Sequence, residues 1–251
     1  MSTTAGTRAD EPPPRSIEGN GTDEPVPGPN EEPTPARIEA FSDGVFAIII
    51  TLLALDLRVP RDDAERIGSL ADALLHQWPV YVAFVVSFLQ VGVVWANHHA
   101  MFHYIRRTDH LVLVYNLLLL MAVAVLPFTS SLLAEYVRGT ESELRIAGLV
   151  YSGMLGICGV FFNLVWHHVL DARLVKPHAD PHRLYALRRH WLLMPVFYGF
   201  AFALAAVSPR VSLGIYVVLL FYYALPGPVV IRRLTAHRHL LARRAAAARD
   251  A

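Results

Sequence analysis

A single cysteine, Cys158, is all that 251 residues contain, so no intrachain disulfide can form and no disulfide framework organises the fold. That leaves the redox compartment open. Charge is scarce as well: 17% charged against 54% hydrophobic residues, with a positive mean hydropathy, excludes an ordinary soluble domain. Catalytic signatures are missing. There is no nucleophile elbow, no phosphate-cradling glycine loop and no paired-carboxylate pattern, so an enzyme is not expected. Acids within the apolar runs reduce to Asp43, with Asp56 and Glu135 near a boundary, whereas a proton-coupled transporter usually carries more. The start of the chain lacks the basic and apolar regions of a secretory signal, so the first inserted segment is expected to be the helix beginning near Arg37.

What the chain does contain is long apolar runs. A bilayer core of about 30 Å needs roughly 20 apolar helical residues. Six segments qualify, approximately 37–58, 77–102, 110–134, 145–170, 188–207 and 211–231. The expected fold is therefore all-α, a six-transmembrane-helix integral membrane protein whose membrane domain covers residues 37–231. Residues 1–36 are rich in Pro and Glu, hold seven acids against two arginines, and read as a disordered acidic tail. Residues 232–251 hold six arginines against one aspartate and read as a solvated basic tail, with a basic surface helix as the alternative. Thirteen Lys and Arg residues in the loops after helices two and four and in the C-terminal tail, against six in the opposite loops, place both termini in the cytoplasm of a multi-pass cell-membrane protein. Trp78, Tyr81, Tyr104, Tyr136, Trp166, Tyr185 and Trp191 fall near span ends, as interfacial aromatics should.

Helix one holds the most informative polar residues. Arg37, Glu39, Ser42 and Asp43 crowd its entrance, and Ser42 and Asp43 lie about 7 to 9 Å inward from Arg37 at about 1.5 Å per residue. Trp95, Asn97, His98 and His99 near the end of helix two, and Asn116 early in helix three, reach the same depth. Polar groups at one level in a low-dielectric medium satisfy one another, and one structural cluster is inferred, made of Arg37, Phe41, Ser42, Asp43, Trp95, His98, His99 and Asn116. It either fixes the packing of three helices or also shapes the inner mouth of a pore. Further along, Ile48, Leu52 and Leu55 share a face with Thr51 on its shoulder, and Gly44 and Ala47 allow close helix approach. The histidine pairs at 98–99 and 167–168, with His178 and His182, do not repeat the spacing of a metal or haem site, so no cofactor is expected.

Three motifs carry a specific likeness: R-x-x-x-F-S-D-G-V-F-A-I-x-x-T from Arg37 to Thr51, W-x-x-H-H from Trp95 to His99, and N-L-L-L-L followed by L-P-F-T-S between Asn116 and Ser131. Together they resemble the transmembrane protein 175 family of potassium channels, closely over helices one to three and mainly in topology beyond them. A single six-helix repeat is similar to the prokaryotic members. The resemblance implies a homotetramer conducting potassium ions through a hydrophobic constriction, without a carbonyl filter, lined by the first helix of each subunit. It places Ile48, Thr51, Leu52 and Leu55 at the pore, Phe41, Ser42 and Asp43 on the F-S-D motif, and Trp95 with His98 or His99 on helix two. The alternative is a proton-coupled or proton-conducting transporter using Asp43 and the inner histidines. The expected partners are potassium, the lipid bilayer and further copies of the chain, with no nucleic acid.

Overall fold

The computed structural model describes residues 34–60, 65, 66 and 68–224. The chain is helical throughout these residues: α1 Pro35–Leu52, prolonged by a 3₁₀ turn Leu53–Asp56, then α2 Leu70–His76, α3 Trp78–Phe102, α4 His110–Ala124, α5 Leu126–Tyr136, α6 Glu141–Asp171, α7 Pro181–Val207 and α8 Pro209–Ala224. Five segments among the described residues are long and apolar enough to cross a membrane: Pro35–Asp56, Trp78–Phe102, His110–Tyr136, Glu141–Asp171 and Pro181–Val207. The apolar α8 is the described part of the sixth expected span. The remainder of that span, the acidic segment up to residue 33 and the basic tail lie outside the described residues.

Local chemistry sets the helix ends. Pro35 occupies the first turn of α1, where a missing N–H costs nothing, and starts the helix two residues before Arg37. Asp109 caps α4 by accepting from the Val112 N–H at 2.9 Å. Thr140 and Glu143 form a capping box at the start of α6. Span three is two helices, because Pro127 cannot continue the hydrogen-bond ladder and the chain breaks at Val125. At 31 residues α6 is about 46 Å long, well beyond a bilayer core of about 30 Å. Its far end closes in a Schellman turn with Arg173 in the left-handed region at φ 56°.

The α6–α7 contact rests on small residues. A Cβ added at Gly159 would sit 3.2 Å from the Pro195 nitrogen and 3.3 Å from the Met194 Cβ, so the two backbones touch there. Pro195 lacks the N–H that would serve the Trp191 carbonyl one turn back. Asn163 of α6 supplies it, donating at 2.8 Å to the Trp191 carbonyl and at 2.8 Å to the Gly159 carbonyl of its own helix. Trp191 passes the connection on: its indole N–H donates to Asn97 Oδ1 of α3 at 3.2 Å, and Asn97 Nδ2 donates to the Tyr223 carbonyl of α8 at 3.2 Å. Four helices are thereby pinned around one aromatic residue.

On the side where α3 ends and α6 ends, the two connecting loops form an antiparallel bridge between Ile105 and Val175. The Asp109 carboxylate also lies 2.6 Å from His168 Nε2. Partial burial alone pushes the Asp109 carboxyl up, but the Val112 N–H and the bond and charge of His168 outweigh it and hold the group below its ordinary value.

We expect Asn163→Leu to cost about 1 to 2 kcal/mol in detergent unfolding, because the Trp191 carbonyl is left unpaired. Adding Pro195→Ala should recover part of that loss by restoring a backbone donor, a coupling that a double-mutant cycle would read. For Asp109 the folded pKa is depressed, so its stabilisation is present above the unfolded value of about 4 and is lost as pH falls through the folded one. The stability gap between wild type and Asp109→Asn should therefore be open near neutrality and close in acid, as thermal melts across pH would record.

Candidate functional site

The first helix has two unlike sides. Ile38, Ser42, Phe46 and Ile49 are buried, following the i, i+4, i+8, i+11 spacing of a helix face, and they turn α1 toward α3 and α4. Across the axis, Arg37, Phe41, Gly44, Ile48, Thr51, Leu52 and Leu55 are exposed. Ile48 is 61%, Leu55 71% and Phe41 55% exposed, values no isolated core helix would show.

The buried side is held by a chain of three polar side chains, each fully inaccessible. His98 Nε2 lies 2.8 Å from Asn116 Oδ1, Asn116 Nδ2 donates to Ser42 Oγ at 3.0 Å, and Ser42 Oγ–H donates to the Ile38 carbonyl at 2.8 Å. Because the Asn116 oxygen can only accept, His98 carries its proton on Nε2, and its bare Nδ1 has no partner among the described residues. The ring is packed against Phe102 at 4.5 Å and Phe46 at 5.4 Å between centroids. One donor chain thus ties α3, α4 and α1 together.

A second set links α1 to α3 only. Trp95 Nε1 donates to Asp43 Oδ1 at 2.8 Å, His99 Nδ1 lies 2.8 Å from Glu39 Oε1, and the Trp95 and His99 rings stack at 6.1 Å. The polar residues expected to form one cluster therefore divide into a buried triad and a more accessible double pair. Both histidines are directed to α1, His98 through Asn116 and His99 directly. Arg37 and Phe41 join neither set and stand on the exposed side with Ile48. Their place in the expected cluster is corrected by helical phase: from Ser42, a step of four residues to Ile38 stays on the buried face, whereas five residues to Arg37 crosses over.

The pairing that sequence reasoning left unmade is Glu39 with His99. Its signal was available, since Glu39 and Asp43 are one turn apart, as are Trp95 and His99, and two such pairs on antiparallel helices meet in register. Thr51 Oγ1 donates to the Ile48 carbonyl at 2.8 Å, so its hydroxyl is satisfied within its own helix while the residue stands on the exposed side. The other histidine pair is committed elsewhere, with His167 Nδ1 2.8 Å from the Asn163 carbonyl and His168 on Asp109. Chemically, the arrangement is a helix fixed in rotation by one face and presenting an uncovered apolar ladder on the other.

Residues 37–127 match the family described as "Endosomal/lysosomal potassium channel TMEM175". The chain is 42% identical over 201 residues to a potassium channel of Chamaesiphon minutus, covering 80% of this chain and 98% of that one. It is 33% identical over 184 residues to the endosomal/lysosomal proton channel TMEM175 of Gallus gallus, covering 71% of this chain and 34% of that protein. Among solved structures it is similar to a crystal structure of a lysosomal potassium-selective channel TMEM175 homolog from Chamaesiphon minutus, with a TM-score of 0.70 and 41% identity over 77% of this chain and 97% of that one.

Asn116→Ala should cost about 1 to 3 kcal/mol, since it strands the His98 N–H and withdraws the donor from Ser42 at a fully buried site. Glu39→Gln should cost less, as its partner His99 is largely exposed. Comparative melts of the two variants in the same detergent check the ranking.

Proposed function

This chain belongs to the TMEM175 family, and we propose on that premise that it is a potassium channel in which four copies assemble around an axis lined by α1. It is a multi-pass membrane protein, read here as having six spans and both termini in the cytoplasm. The observation that carries the pore assignment is the two-sidedness of α1: Ile48, Leu52 and Leu55 are uncovered while the opposite face is locked through Ser42, Asn116 and His98. A helix lining a shared axis needs that combination. One protomer cannot enclose an axial path with a single such face, so the site is incomplete without further copies.

From Ile48 to Leu55 the ladder spans about 10 Å at the helical rise, giving stacked apolar rings with Thr51 beside them. Apolar constrictions gate by dewetting, and small rotations of α1 would widen or close them. Potassium sheds water more readily than sodium, which favours it at a site offering no oxygen ligands. Arg37 and Phe41 lie on the same face, so in the assembled pore they would ring the mouth at the N-terminal end of α1.

Proton permeation is the second reading, favoured by the proton-channel name of the Gallus gallus relative. Asp43 and Glu39, each bonded to a side chain of α3 yet only half-buried or so, are the acids such a path would use.

In liposome flux, Ile48→Asn should raise potassium permeation several-fold and loosen its preference over sodium, and Leu52→Ala should act in the same direction. Unchanged permeation in both variants would remove α1 from the pore. Proton flux abolished by Asp43→Asn with potassium flux intact would favour the second reading.

A further inference from the structure

At the C-terminal end of α1, behind the face that carries Ile48, a cavity of about 440 Å³ opens between the 3₁₀ turn, the start of α3 and the end of α5. That is the size of a small-ligand site, for which about 300 to 1,000 Å³ is usual. Nothing in the channel reading uses it. Five charged side chains line it; Arg66 is already engaged, which leaves Asp56 and Glu135 on one hand, Arg58 and Arg138 on the other. Among the described residues no ion pair or side-chain hydrogen bond joins either acid to either arginine.

Arg138 is set in place beforehand. Its Nη1 donates to the His76 carbonyl at 2.8 Å and lies 3.0 Å from His76 Nδ1, while the guanidinium sits 5.4 Å above the Trp78 ring. Those contacts use one nitrogen of a five-donor fork and leave the others for an anion. Gln77 contributes a carbonyl oxygen that is buried in the cavity wall and has no partner among the described residues. Beneath the charges the wall is apolar, formed by Leu53, Val80 and Phe84. The cavity stands at the level of Trp78 and Tyr136, aromatic residues at the ends of spans, where a bilayer presents its headgroups.

Unpaired charges of both signs above an apolar floor select their occupant. A potassium ion would face two arginines, and a simple anion would leave two carboxylates uncompensated. A molecule with a primary ammonium and a phosphodiester satisfies both, the ammonium donating to Glu135, Asp56 and Gln77 Oε1 and the phosphate accepting from Arg138 and Arg58. A quaternary ammonium cannot donate. We propose that this cavity binds a phosphoethanolamine zwitterion, either the headgroup of a phospholipid whose chains lie along Phe84 or the same group in a soluble molecule.

The test uses the purified full chain in detergent, with dioleoyl phosphatidylethanolamine, its choline and glycerol counterparts, and soluble glycerophosphoethanolamine as probes. Lipid retention is read by native mass spectrometry and stabilisation by thermal melts. The ethanolamine lipid should be retained about tenfold over the other two, the scale of one charge-assisted hydrogen bond. Glu135→Gln and Asp56→Asn, made separately at side chains with no partner among the described residues, should each shrink that preference several-fold. Equal stabilisation by glycerophosphoethanolamine would uphold the site and identify a soluble occupant. Equal or greater retention of the glycerol lipid, or an ethanolamine preference untouched by both substitutions, would overturn the proposal. None of these readouts depends on permeation, so they stand apart from the pore assignment.

Discussion

Inside a bilayer a polar atom has no water to fall back on, and the packing of this protein follows from that single constraint. Apolar side chains gain little by leaving lipid for one another, so specificity between helices comes from hydrogen bonds and from small residues that let backbones meet. Each principal contact here joins the two. Where Gly159 lets α6 reach α7, Asn163 caps the carbonyl that Pro195 abandons. Where α1 meets α3 and α4, Ser42 and Asn116 complete a chain begun by His98.

The same constraint explains why α1 can afford an uncovered face. A helix held only by apolar contact in lipid is free to roll, since all its sides are equally content. The buried triad and the Asp43–Trp95 and Glu39–His99 pairs remove that freedom, as rolling would break bonds that nothing replaces. An apolar stripe can then be aimed in a fixed direction without any contact on the stripe itself. Rotation is set from behind.

Much of this was legible in the sequence, and the unread part has a physical reason. Depth follows from a constant rise per residue, so the meeting of Ser42, His98 and Asn116 at one level could be reckoned before any fold was known. Most spans were legible in the same way, although α7 begins at Pro181, well before the expected 188. Azimuth was not, because it depends on where the partner helix sits. Phe41 shares its depth with Ser42, and Arg37 opens the same helix less than two turns earlier, so both are grouped with the cluster by sequence, yet they stand on the exposed side. His98 and His99 could not be told apart for the same reason. The pairing of Asn163 with the Trp191 carbonyl escaped notice because it compensates a missing donor, which a pattern of residue types does not display.

The triad has a polarity of its own. His98 gives to Asn116, Asn116 gives to Ser42, and Ser42 gives to the Ile38 carbonyl, so every link points the same way and each dipole reinforces the next. Such a homodromic chain ends on a backbone oxygen already engaged in a helix. A proton handed in at the histidine would find no exit, and reversing the links would require the amide, the hydroxyl and the imidazole tautomer to flip together. The row of groups that looks most like a proton wire is therefore a latch.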